Sequence, residues 1–333
     1  MIAVLSIDGG GIRGVVPAAI LSELEQQVGK PISKIFSIIA GTSTGGIIAS
    51  VLSVPNQNGN PKFTAEDVRL AYEQFGGNVL KRKQLHTLRT LGGLTGPRYP
   101  DGPLEHFLKQ YLGNVHLHSS VTKLLIPAYD MVTCTPWFFK TTYASLHRSN
   151  LDDPPLWQVA RATAAAPAYF RPFEIGSHCF IDGGVFASNP ALCAYAEACN
   201  AYPNEKDFLV VSLGTGEHQK SHSFHEIHHW GVVNWLIPLW GVLMNSSSAT
   251  VNYQMKALIR KDNYYRIQVP LDEASSNMDD SSPENIRHLQ SLARAQIRQH
   301  AGQFQQLCQI LRQIPEEKEN EPISKKLDKP AQK

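Results

Sequence analysis

Gly41-Thr42-Ser43-Thr44-Gly45 fits the pattern G-x-S-x-G, in which small flanking residues let the chain turn so sharply that a serine oxygen stands free at a strand end. A serine placed there suits attack on a carbonyl, and the N-terminus of a following helix favours the negative charge that develops. An ordinary polar strand-to-helix loop has the same composition, so the pattern alone leaves both uses standing. In "IDGGGIRG", Gly9, Gly10 and Gly11 offer backbone N–H groups unshielded by any Cβ, and Arg13 adds a fixed positive charge. A phosphate cradle and an oxyanion hole both fit. The P-loop spacing G-x-x-x-x-G-K-[ST] is absent and the G-x-G-x-x-G match from Gly9 is weak by itself, so a candidate serine in the same chain favours the oxyanion use. Asp182 closes the apolar run of "HCFIDGG" and precedes two residues without side chains. Its carboxylate is therefore open to another group, although an Asx-turn that caps the loop is the alternative.

A serine hydroxyl loses its proton as it attacks, so a base must stand within hydrogen-bond reach. Aspartate, with an ordinary pKa of about 3.9, serves poorly in water, but burial among apolar groups and glycines raises that value. Histidine is the usual base. His218, His222, His225, His228 and His229 follow Asp182, so the order Ser, Asp, His is formally available. The same run raises the question of a metal, since His225, His228 and His229 lie at helical spacing near Glu226. The letters of H-E-x-x-H are met by His225-Glu226-Ile227-His228-His229, but only as a short match inside a polar run. The density of polar residues favours a solvated loop, with neither metal nor cofactor expected.

The elements that must hold these residues follow from periodicity. Short apolar runs predict strands near Ile2 to Ile7, Ile35 to Ala40, Leu124 to Asp130, Cys179 to Asp182 and Phe208 to Leu213, several of them leading through glycines into helical patterns. Their apolar character predicts one α/β domain around a mainly parallel sheet covered by helices on both faces. Between Pro55 and Pro103 a longer insert carries Lys81, Arg82 and Lys83, which suit either a solvated turn or anionic headgroups. From Pro283 through Ile314 an apolar stripe predicts one long amphipathic helix packed on the core. The domain is expected to span residues 1–314, with 315–333 a disordered charged tail.

"DGGGIRG", "GTSTGG" and "DGG" in this order, with "ATAAAPAYF" between the last two, closely resemble the patatin-like phospholipase family. The resemblance runs from about Ile2 to "VVSLGTGE" and "NYQMKAL". It implies a patatin-like three-layer fold and a lipid acyl hydrolase of phospholipase A type. Ser43 would be its nucleophile, Asp182 the other half of a Ser/Asp dyad, and Gly41 and Gly45 the elbow. The amides of Gly9, Gly10 and Gly11, with Arg13 nearby, would form the oxyanion site. A small-ester hydrolase or thioesterase, and a lipid-binding protein with incidental turnover, are the rival readings.

"WGVVNWLIPLWGVLM" carries no charge and three of the five tryptophans. It is short of the ~20 apolar residues that span a bilayer, and Pro238 is expected to break its middle. A buried core helix, a dimer contact and an interfacial patch beside an acyl-lipid site all fit it, the last because tryptophan favours the membrane–water boundary. The net charge of +2 gives no reason to invoke nucleic acid. Five cysteines without a C-x-x-C pair argue against a disulfide scaffold. With a strand expected from residue 2, no conventional signal peptide is expected. The expectation is a cytoplasmic protein that visits membrane surfaces, with export by routes reading other signals left open, and with a homodimer or an activating partner as further candidates.

Overall fold

The computed structural model describes residues 1–80, 95–147, 149–217, 223–272 and 276–315. Lys81, Arg82, Lys83, His218, His222 and nearly all of the expected tail lie outside these residues. The strands are β1 (Ile2–Ile7), β2 (Ile38–Gly41), β3 (Lys123–Asp130), β4 (Thr135–Lys140), β5 (Phe173–Ile175), β6 (His178–Asp182), β7 (Phe208–Leu213) and β8 (Tyr264–Ile267). The longer helices are α1 (Val15–Val28), α2 (Thr44–Leu52), α3 (Ala65–Asn78), α4 (Asp101–Leu112), α5 (Leu156–Thr163), α6 (Ala191–Ala201), α7 (Val232–Leu258), α8 (Pro283–Gln299) and α9 (Ala301–Gln313).

One sheet runs β5-β6-β3-β2-β1-β7-β8, with β4 paired to β3. The stretch from β3 through β8 is parallel, whereas β4 and β6 run antiparallel to β3. Alternation along each strand splits the apolar side chains between two layers. Leu5, Ile7, Ile39 and Val211 face a large layer that includes α1, α2, α8 and α9. Val4, Ile38, Ala40 and Val210 face a smaller one built on α6 and the end of α7. This is the three-layer α/β arrangement, and each fully buried leucine or isoleucine in it contributes about 1.5–3 kcal/mol.

The pairing along β3 places the chemistry. Leu125 pairs with Lys140 and with Ala40, while Ala128 pairs with Trp137 and with Asp182. With β4 along one edge, β2 and β6 must share the other. They approach from opposite directions, and their C-terminal ends meet beside Pro127.

Several expectations need correction. The run expected as strand from Ile35 enters the sheet only at Ile38, because Ile32–Ile35 makes a helical turn that already buries Ile32 and Ile35. The insert after Pro55 contains α3. Pro238 does not break its segment: α7 runs through it to Leu258, and a proline removes only one N–H from a helix of 27 residues. The expected single C-terminal helix is two, starting from Ser282, whose side chain accepts the Asn285 N–H, and parting at His300 (φ −112°, ψ 31°). A straight helix over that span, at about 1.5 Å per residue, would overshoot the core, whereas the break lets both halves pack on α1.

Candidate active site

Ser43 sits between β2 and α2 with φ 55° and ψ −121°, a left-handed conformation that costs a non-glycine residue of order 1–3 kcal/mol unless its surroundings enforce it. Two contacts do so. A Cβ on Gly41 would overlap the Gly45 carbonyl, and one on Gly45 would overlap the carbonyl of Ile7, so the elbow closes onto itself and onto β1 only with glycine at both positions. Thr163, at the end of α5, accepts the Ser43 N–H at 2.9 Å and donates its hydroxyl to the Pro127 carbonyl at 2.6 Å. That bridge fills the gap between the ends of β2 and β6.

Asp182 comes to the same point from β6. Its carboxyl lies beside Ser43, whose hydroxyl favours the charged form, and Oδ1 accepts the Gly184 N–H at 2.7 Å. The carboxyl is 2% exposed. Burial outweighs both of these influences and pushes its pKa up to about 6. No histidine is among the described residues that line the surrounding cavity, and the described members of the late histidine run, His225, His228 and His229, are exposed. Among the described residues no cluster of three or more histidine, cysteine or acidic side chains could hold a metal ion.

The glycine loop follows β1, the neighbour of β2. Gly10 and Gly11 line the cavity with Ser43 and Asp182. Gly9 stands apart: its N–H donates to the Ser188 carbonyl at 2.9 Å. Arg13 turns its Nε to the Gly10 carbonyl at 3.3 Å. Burial pushes its pKa down to about 10, which leaves it charged at neutral pH. At the base of the loop Asp8 is clasped by Arg266 from β8. Burial raises the Asp8 carboxyl, and the guanidinium acts against that rise.

The cavity holds about 60 Å³, several times what one water needs. Ile47, Leu80, Leu104, Phe170, Met244 and Met278 make most of its wall apolar. Met244 comes from α7. Met278 belongs to a strap laid across the loop, whose carbonyl accepts the Ile12 N–H at 2.9 Å and whose neighbour Asp279 is held by Arg98 and Tyr99 at 2.8 and 2.9 Å. Thr163, Thr215, Arg266 and the strap were not singled out by sequence reasoning. Thr163 and Thr215 lie inside strings that carry the resemblance, but nothing local marks their contacts.

A serine on a strand-to-helix elbow, with a buried carboxyl and two glycines lining the same cavity, defines the class: a three-layer α/β protein with a hydrolase-type site. The family described as Patatin-like phospholipase matches residues 5–195. "Patatin-like protein 2" of Arabidopsis thaliana is 32% identical over 328 residues, covering 86% of this chain and 80% of that protein. A protein of the same description from Oryza sativa subsp. indica is 31% identical, with 87% and 82% covered. "Probable inactive patatin-3-Kuras 1" of Solanum tuberosum is 30% identical, with 86% and 83% covered. The chain belongs to the patatin-like phospholipase family, which supports lipid acyl-ester hydrolysis as its class of chemistry.

Proposed function

We propose that this protein is a phospholipase A-type acyl hydrolase that works through Ser43 and Asp182 alone. Family membership does not carry this by itself, since one relative's own name calls it inactive. The observation that carries it is the buried Asp182 carboxyl, lining the same apolar cavity as Ser43, with a pKa of about 6 that suits a general base near neutral pH. The Asp182 carboxylate takes the Ser43 proton as Oγ bonds to the ester carbonyl carbon. The tetrahedral oxyanion is met by the Gly10 and Gly11 amides, and each such donor typically contributes about 100- to 1000-fold in rate. Collapse breaks the bond to the alcohol, which leaves with the proton from Asp182. A water, deprotonated by the same carboxylate, then releases the fatty acid and restores Ser43.

The substrate surface is read from α7. Trp230 to Met255 is uncharged, Val232, Trp235, Leu239, Val242 and Leu243 are exposed, and the same helix sends Met244 into the cavity. This favours lipid held at an interface over a small ester in solution. Among the described residues no helix is long and apolar enough to cross a membrane, and α7 is assigned to lie on a lipid surface.

The test is fatty-acid release from mixed phospholipid vesicles with chelator present, comparing wild type, Ser43→Ala and Asp182→Asn. Release that both substitutions abolish while melting temperatures hold supports the dyad. Release that survives Ser43→Ala sinks it, and a wild type that binds vesicles without releasing fatty acid points to lipid binding.

A further inference from the structure

Thr215 lies two residues beyond β7, in the loop next to the glycine loop, because Leu213 pairs with Ile7 at the end of β1. It is 3% exposed, and its Oγ1 donates to the Gly9 carbonyl at 2.8 Å. Gly9 is therefore held at both ends, its N–H by Ser188 and its C=O by Thr215. The contact is close: a Cβ on Gly10 would overlap Thr215 Oγ1.

The Gly9–Gly10 peptide is trans, since the described residues contain no cis bond. In a trans peptide the C=O and the N–H point in opposite directions. Pinning the Gly9 carbonyl to Thr215 thus aims the Gly10 N–H away from Thr215, on a residue that lines the cavity with Ser43. No described residue accepts that N–H. The next peptide repeats the device, for the Gly10 carbonyl accepts from Arg13 N at 3.2 Å and from Arg13 Nε at 3.3 Å, which orients the Gly11 N–H.

We infer that Thr215 is a positioning residue: by anchoring the Gly9 carbonyl it holds the Gly10 amide where the oxyanion forms. The inference rests on the function proposed above. Its anchor is neutral, buried and shared with no other group, whereas Arg13 anchors the second amide with a charge. The two therefore fix consecutive donors independently.

The test uses a monomeric short-chain ester and a trifluoromethyl ketone, whose hemiketal with Ser43 places an oxyanion in the same hole. Thr215→Val removes the donor and nearly keeps the shape, and Thr215→Ala removes it without bulk beside Gly10, so the alanine variant decides if the valine variant does not fold. The expected result is a fall in kcat of about 10- to 100-fold with KM changed less than about threefold, somewhat below the loss of a whole donor. The ketone's inhibition constant should rise by the same factor as kcat/KM falls, and Thr215→Ser should restore both. Wild-type kinetics in the donorless variants, or a loss of kcat with unchanged ketone affinity, overturns the inference alone. A wild type with neither ester turnover nor fluorophosphonate labelling at Ser43 overturns the proposed function, and this role with it.

Discussion

Arg266 clasps Asp8 with both guanidinium nitrogens, Nη1 to Oδ1 at 2.9 Å and Nη2 to Oδ2 at 2.6 Å, with side chains only 9% and 4% exposed. Ser212 of β7 and Ser248 of α7 join the pair at 2.8 and 3.1 Å from Arg266. The root of the glycine loop is thereby tied to three other elements. Removing one partner of such a buried pair leaves the other uncompensated, which typically costs about 3–5 kcal/mol. Arg266→Met should lose that much in urea unfolding, and adding Asp8→Asn should recover part of it. A single-variant loss under about 1 kcal/mol would show that the pair is not isolated from water.

Asp182 sets stability against function. Its folded pKa of about 6 lies above the ordinary carboxylate range because burial disfavours the charge. The unfolded chain gives up that proton more readily, so the contribution is fully present below the unfolded pKa and is lost as pH rises through about 6. Catalysis needs the carboxylate, so kcat/KM for a monomeric ester should rise with pH through about 6. Asp182→Asn should be inactive yet gain stability over wild type between pH 5 and pH 8, by on the order of 2–3 kcal/mol at the upper end. Equal unfolding free energies of the two proteins at both pH values would refute the raised pKa.

Ser43, Asp182 and the glycine loop were legible because each signal is local: a strand ends and residues without bulk follow. Thr163, Thr215 and Arg266 were not, because their partners are set by which strands lie side by side, as when Leu213 meets Ile7. The missed strands are also weakly written. β4 contains Pro136 on a strand paired only with β3 among the described residues, β5 has three residues and β8 four. Periodicity carried the stripe straight across His300, since apolar spacing stays in phase there although the backbone breaks. In α7 a single proline reads as a stop, whereas the helix continues past it to Met244 and Met255, both buried on the face opposite the exposed stripe.

Thr163 should matter to Ser43 more than to the fold at large. Thr163→Val leaves the Ser43 N–H and the Pro127 carbonyl without their shared partner in a buried place, at a cost of about 1–3 kcal/mol for each unsatisfied group. With the strained elbow less firmly held, fluorophosphonate labelling of Ser43 should slow by about tenfold or more, in line with the sensitivity of catalysis to small misplacements. Thr163→Ser, which keeps the hydroxyl, should label near the wild-type rate. Unchanged labelling in the valine variant, measured well below its melting temperature, would assign the strain to Gly41 and Gly45 alone.

The exposed stripe on α7 predicts a difference between two substrates. At about 100° per residue, Val232, Trp235, Leu239, Val242 and Leu243 fall within an arc of roughly 100°, and the buried Met244 and Met255 lie on the other side. Apolar side chains exposed on an uncharged helix gain by entering an acyl layer, and an ionised glutamate there loses that gain and meets anionic lipid. Leu239→Glu with Leu243→Glu should therefore cut the rate on phospholipid vesicles by about tenfold or more, while turnover of a monomeric ester changes far less. Vesicle sedimentation should fall in parallel, and the melting temperature should hold, since both positions face solvent. If wild type sediments as a dimer in ultracentrifugation and the double variant as a monomer, with vesicle hydrolysis unchanged, the stripe belongs to a second copy of the chain instead.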